Sequence, residues 1–206
     1  MTITAIEPRR KSLSAIFIDG EYALKLDTET VLSQRLKVGA DIDDDRLLQL
    51  IKLSDAKRAK EKALWLISYR DHSEGELRQK LSKDYGEEAV DAAIAKLMDL
   101  GFINDESFAQ RYAESLSSKH LSERQIQQKL RLKGIDKELS SQAVENLCLD
   151  EKEELRALIN KKYIRKLSDE ADLRRTVAAL QRRGFSYTDI RSVIREFTEF
   201  EEYNYD

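Results

Sequence analysis

Leu180-Gln181-Arg182-Arg183-Gly184-Phe185-Ser186 closes one amphipathic segment, and about fifty residues earlier Leu130-Arg131-Leu132-Lys133-Gly134-Ile135 closes another in nearly the same way. A glycine placed after the last apolar residues of a helical pattern reads as a helix stop, because it takes the left-handed conformation in which the final carbonyls are capped. The large apolar residue behind it returns the chain to a core. Working outward, Leu81, Leu130 and Leu180 recur at intervals near fifty, followed by Lys83-Asp84, Leu132-Lys133 and Arg182-Arg183, and then by Tyr85, Ile135 and Phe185. The apolar sets Ile94 with Leu97, Val144 with Leu147, and Ile194 with Phe197 come next, in a register that holds to within one residue. A further candidate helix precedes each set, over residues 63–69, 108–116 and 155–167. Self-similarity at this period is the mark of a repeat architecture, here three copies of a three-helix unit.

Local signals agree. Ser73-Glu74-Gly75-Glu76 and Ser122-Glu123-Arg124-Gln125 are capping boxes, and Ser186-Tyr187-Thr188-Asp189 is a weaker version of one. Strand character is confined to the beginning, where residues 14–18 and 21–26 flank Asp19-Gly20, the strongest short hairpin signal. Ile6, before Pro8, is a candidate third strand. Asp27 or Thr28 can cap a short helix running to Leu36 and ended by Gly39. The aspartates at 41, 43, 44 and 45 then lead into an apolar segment and read as a solvated helix start whose charges offset the helix dipole, rather than as a cation site. The expected fold is mainly α, an elongated array of three tandem three-helix repeats (54–103, 104–149 and 150–206) preceded by a small β-hairpin/α domain (1–53), with an acidic tail on the last repeat. A charged fraction of 36%, seven Gly, one Pro and a mean hydropathy of -0.60 suit such an array, rich in exposed helical faces.

The same composition limits function. A net charge of -3 excludes a globally basic nucleic-acid binder, although local patches still act within a Debye length of about 10 Å. The one cysteine, Cys148, permits no internal disulfide and reads as a reduced core residue in its apolar run. The beginning of the chain has no signal-peptide apolar region, and no uninterrupted apolar run reaches a membrane-spanning length of about 18 residues, so a cytoplasmic, soluble monomer is expected. His72 and His120 each precede a capped helix without metal-ligand neighbours at suitable spacing, and no phosphate-cradling glycine loop occurs. No catalytic constellation, cofactor or metal is expected. Trp65, Tyr69 and Tyr112 read as packing residues, the tyrosines with their hydroxyls at the surface.

Basic residues are segregated along the chain. Lys119, Arg124, Lys129, Arg131 and Lys133 face only Glu123 within their span, and a second basic window runs from Arg156 to Arg183. Acid gathers at Glu196, Glu199, Glu201, Glu202 and Asp206. A single charge run is usually a solvated face, but recurrence at equivalent repeat positions lines side chains up on one surface. That surface can follow a phosphodiester backbone or meet an acidic protein groove. The candidate contact residues for DNA or a protein partner are Arg70, Lys80, Lys129, Arg131, Lys133, Arg174, Arg175, Arg182 and Arg183, among which the arginines suit bidentate contacts to phosphate or carboxylate.

Three segments also resemble the signatures of a known family. They are residues 69–81, from Tyr69-Arg70 through Ser73-Glu74-Gly75-Glu76-Leu77 to Lys80-Leu81; Leu100-Gly101-Phe102-Ile103-Asn104-Asp105-Glu106-Ser107-Phe108-Ala109; and the opening stretch 180–186. In order and spacing they resemble the RecX family, bacterial regulators of the RecA recombinase, from about residue 55 onward, and the hairpin with Leu36-Lys37-Val38-Gly39 resembles the extension of longer members. Asn104 stands where an acidic residue is common in the family, and Asn caps a helix as Asp does. Leu132 replaces the basic residue that the third repeat has at 182. The resemblance implies a modular, helical, non-enzymatic protein that binds along the groove of the RecA–DNA filament and limits filament growth, ATP hydrolysis and strand exchange. The residues alone leave open an autonomous nucleic-acid-binding repeat protein, and they disfavour a hydrolytic enzyme.

Overall fold

A computed structural model describes the backbone of residues 1–202 and the side chains of residues 1–198. Two compact units divide the chain, residues 1–104 and 105–206.

The first unit opens with an antiparallel sheet of β1 (Ile3–Arg9), β2 (Leu13–Ile18) and β3 (Glu21–Asp27), with β2 in the middle. Asp19 and Gly20 both take positive φ, +51° and +90°, the pair of left-handed residues that a two-residue hairpin loop needs to match strand twist. Ile3, Ile16, Ile18 and Leu26 face a core completed by Val31, Ile42 and Leu50. Asp27 is the hinge of this region. Its carboxylate caps α1 (Thr28–Ser33) through the amides of Glu29 and Thr30, and it accepts from Lys57 Nζ at 2.7 Å. Its own amide donates to Ser54 Oγ at 2.8 Å. Ser54 and Lys57 belong to α2 (Asp44–Tyr69), so a carboxylate at the sheet edge fixes where that helix lies.

Helix α2 starts on the Asp43 side chain, which caps Arg46 N, and runs uninterrupted through the boundary expected at 53/54. Its first half packs on the sheet, and its second half is the first helix of repeat 1. Ala59 and Ala63 are fully buried, and small side chains there let α4 (Glu87–Asp99) lie close along α2. The remaining helix, α3 (Glu74–Leu81), is capped by Ser73 Oγ on Glu76 N at 3.1 Å. Leu77, Leu81, Val90, Ile94, Leu97 and Ile103 form the repeat's own core, with Tyr85 packed against it.

The second unit holds the other two repeats. In repeat 2, α5 (Asp105–Ser117), α6 (Glu123–Leu132) and α7 (Lys137–Glu145) enclose Phe108, Ala113, Ile126, Leu130, Ile135 and Val144. In repeat 3, α8 (Glu151–Lys162), a 3-10 turn (Ile164–Lys166), α9 (Glu170–Arg182) and α10 (Tyr187–Glu202) enclose Leu155, Leu158, Leu180, Phe185, Ile190 and Ile194. Leu81, Leu130 and Leu180 all have no solvent exposure, as the repeat register requires. Gly134 and Gly184 adopt φ +83° and +96°, and Ile135 N reaches back to Leu130 O, so the αL stop is realised. Arg156 of α8 ties the ends of repeat 3 together with a forked pair to Glu196 of α10, 2.6 and 3.0 Å. The side chains of Glu199, Glu201, Glu202 and Asp206, the rest of the expected acidic tail, lie outside the described residues.

Three packing expectations are corrected. Trp65 is 57% exposed and Tyr69 72% exposed, and the two rings meet edge-to-face at 4.8 Å on the outside of α2. Residue 65 sits about 200° around the helix from Ala63, so an apolar run longer than the buried stripe spills onto the solvent side. Cys148 is exposed, at φ +48°, because the chain leaves α7 through a left-handed residue that turns its side chain outward; Val144, Leu147 and Leu149 carry the apolar contacts instead.

Candidate functional site

The site is built where the opening stretch of repeat 3 meets the start of α6. Gly184 lies so close to that helix that a Cβ on it would stand 2.1 Å from Ser122 Oγ and 2.8 Å from Gln125 Cβ. Backbone and side chain of Arg183 complete the joint. Its carbonyl accepts from Ser122 N at 3.1 Å, while its guanidinium donates to Lys119 O at 2.5 Å and His120 O at 3.4 Å. His120 Nδ1 donates to Glu154 Oε2 of α8 at 2.6 Å, and Glu123 N to Glu151 Oε1 at 2.9 Å. Burial pushes the Glu151 carboxyl above the usual glutamate range, with the hydrogen bond from Glu123 N acting the other way. A helix end and a helix start from different repeats are thereby locked together by groups that would otherwise be uncapped.

Beside this joint lies an open cleft of about 580 Å³ lined by Tyr112, Leu116, Lys119, Leu121 and Lys129 of repeat 2 and by Tyr163, Ala179, Arg182 and Arg183 of repeat 3. Four cations converge on it and no carboxylate is among its lining residues. The two hydrogen bonds of Arg183 go to neutral carbonyls, so its charge is not cancelled. Among the described residues Lys119, Lys129 and Arg182 make no ion pair. Lys133 Nζ lies over the ring of Tyr112 at 5.6 Å, and Phe108 stacks with the same ring at 5.6 Å.

Of the nine candidate contact residues, the fold gathers Lys129, Arg182 and Arg183 at the cleft, with Lys133 alongside. Arg131 is exposed on α6. Arg174 and Arg175 project from α9 and pair within their own helix to Glu170 and Asp172, each arginine side chain more than three-quarters exposed. Lys80 is partly exposed on α3 of the first unit. Arg70, in the same unit, forms a fork with the nearly buried Glu76, 2.8 and 3.0 Å, and donates to Asp71 O at 2.7 Å. That geometry holds the α2–α3 turn, as does the hydrogen bond from His72 Nδ1–H to Arg70 O at 2.9 Å. Lys119 and Tyr163 were missed as site residues by sequence reasoning, since neither carries a motif of its own. Leu132, at the position equivalent to Arg182, is 77% exposed and contributes no charge. No helix among the described residues is long and apolar enough to cross a membrane.

Comparison with known proteins places this architecture. Profiles of the first, second and third three-helix domains of RecX match residues 59–97, 104–144 and 150–194. A regulatory protein RecX of Caldanaerobacter subterraneus subsp. tengcongensis is 33% identical over 166 residues, 79% of this chain and 84% of that one. A regulatory protein RecX of Clostridioides difficile is 29% identical over 208 residues, 98% of each chain. The crystal structure of a regulatory protein RecX superposes with a TM-score of 0.62 at 23% identity, over 93% of this chain and 98% of that one, which speaks for the fold. Three consecutive domain matches, in the order and at the spacing of the three packed repeats, show that the chain belongs to the RecX family of regulatory proteins.

Proposed function

We propose that this chain binds along the groove of the RecA–DNA filament and restrains it, lowering RecA ATP hydrolysis, strand exchange and filament growth. It acts by binding and not by bond-making, in the cytoplasm, as a monomer without a cofactor. The observation that carries the reading is the cleft between repeats 2 and 3, in which Lys119, Lys129, Arg182 and Arg183 converge without a lining carboxylate in a chain of net charge -3. Cations left uncancelled on an otherwise acidic protein favour an anionic partner surface and steer the encounter toward it. Lys80, Arg131, Lys133, Arg174 and Arg175 supply further contacts, and Arg70 keeps the turn of repeat 1 in place. Repeats tethered in one chain let individually modest contacts reinforce each other through effective concentration.

The test is ATP hydrolysis by the cognate RecA on single-stranded DNA as this protein is added, with binding to bare DNA followed in parallel. Loss of hydrolysis at protein levels well below RecA is the expected result. Unchanged hydrolysis together with tight, salt-sensitive binding to bare DNA would replace this reading with that of an autonomous nucleic-acid binder.

A further inference from the structure

We infer that the cleft between repeats 2 and 3 seats a short stretch of single-stranded nucleic acid, its phosphates on Lys119, Lys129, Arg182 and Arg183 and one base against Tyr163. This deepens the function proposed above, because it assigns the nucleic acid of the filament a place on the chain. The cleft's volume, about 580 Å³, lies in the range of small-ligand sites and admits a nucleotide unit. An acidic protein segment would satisfy the cations equally well, but it gives no role to an aromatic ring set among them, whereas bases stack on such rings regardless of sequence. The ring of Tyr112 is already engaged by Phe108 and by Lys133, so the base is assigned to Tyr163, half-buried at the end of α8, which packs on the repeat 3 core and also lines the cleft. A cleft receives a base only when that base is unstacked from its complement, which selects single strand over duplex. The walls come from two repeats locked by Arg183 and by the close approach of Gly184 to Ser122, so the cations are positioned before the ligand arrives and little ordering cost remains.

The experiment uses the full chain and labelled oligo(dT), read by fluorescence anisotropy from low to moderate salt. Lys129→Gln with Arg182→Gln should weaken binding about tenfold or more and flatten the dependence of log K on log salt by about 1.4, the share of two phosphate contacts on a single strand. Lys37→Gln with Lys137→Gln, an equal charge change at two exposed lysines that do not line the cleft, should leave affinity and slope unchanged. Tyr163→Leu should weaken binding about fivefold or more with the salt slope intact, because stacking releases no counterions; a circular dichroism melt establishes that each variant is folded. The proposal is overturned if the cleft pair binds oligo(dT) like the parent, if dTMP competes as well as the oligonucleotide, or if the cleft pair loses poly-glutamate binding while keeping oligo(dT). Loss of RecA inhibition is scored separately. A parent that inhibits RecA while the cleft pair still binds oligo(dT) normally removes the cleft assignment and keeps the function, whereas cleft-dependent oligo(dT) binding without any effect on RecA does the reverse.

Discussion

Replacing Gly184 with Ala tests the joint between repeats 2 and 3 directly. Two costs follow from the structure. The first is conformational: φ is +96°, and an L side chain there costs about 1 kcal/mol or more relative to glycine. The second is steric. The new Cβ would sit 2.1 Å from Ser122 Oγ, 2.8 Å from Gln125 Cβ and 3.3 Å from Gln125 N. Ser122 is fixed from both sides, its amide donating to Arg183 O and its hydroxyl capping Gln125 N at 3.3 Å. Turning the hydroxyl away forfeits the cap, about 1 kcal/mol, and shifting the first turn of α6 costs another 1–2 kcal/mol, roughly, as overpacking does. The expected loss is about 3–4 kcal/mol, measured by urea unfolding followed by far-UV circular dichroism. Gly101→Ala is the reference, since it has φ +73° but nothing within 4 Å of its Cβ, and should cost only about 1 kcal/mol. If Gly184→Ala costs no more than Gly101→Ala, the close approach of the two repeats is not a constraint and the argument for a rigid cleft collapses.

Arg183→Ala removes the guanidinium from the carbonyls of Lys119 and His120 and should cost about 1–2 kcal/mol in the same assay, whereas Arg182→Ala, exposed at the cleft rim, should stay within about 0.5 kcal/mol; equal effects would deny Arg183 its structural part. His72 is nearly buried, and burial pushes its imidazole below the ordinary value, so the unfolded chain takes up its proton first and stability falls as pH drops below about 6.5 toward the depressed native value. His72→Gln should flatten that slope between about pH 7 and pH 5, and an unaltered slope would locate the titration elsewhere. Glu151 is held above the usual glutamate range by burial, so its contribution to stability declines as pH rises through the window from the unfolded to the native value. Glu151→Gln keeps an oxygen for Glu123 N and removes the buried charge, and unfolding near pH 7 should show a change of less than about 0.5 kcal/mol or a gain; a clear loss would mean that the charge itself holds the joint.

Local chemistry made much of the fold legible. Ser73, Ser122 and Ser186 each place an oxygen on the amide three residues on, Asp19-Gly20 makes the hairpin, and the leucines at 81, 130 and 180 are buried in three separate cores. Each of these depends on a backbone preference or on a face that one helix must bury, and both are written within a few residues of chain. Trp65 and Cys148 were misread because an apolar neighbourhood in sequence says nothing of the angle at which one residue leaves a helix. The uninterrupted course of α2 was hidden for a similar reason, since polar residues between its two apolar halves resemble a linker until a sheet and a helix pack against opposite ends.

The candidate site divides along the same line. That Lys129, Arg182 and Arg183 are basic and lie at helix ends, with Lys133 and Arg183 in equivalent places before the terminating glycines, is a property of the repeat pattern, and the sequence alone determined it. Which charges survive uncancelled was settled by tertiary structure: Arg70 is taken up by Glu76 and Arg156 by Glu196, while Lys119, Lys129, Arg182 and Arg183 are brought to one cleft without a lining carboxylate. The physical reason is distance. Charge and hydrogen-bond partners separated by tens of residues, such as Arg183 with Lys119 or His120 with Glu154, acquire an interaction only when two helices are packed within a few ångströms, and no local pattern encodes that approach.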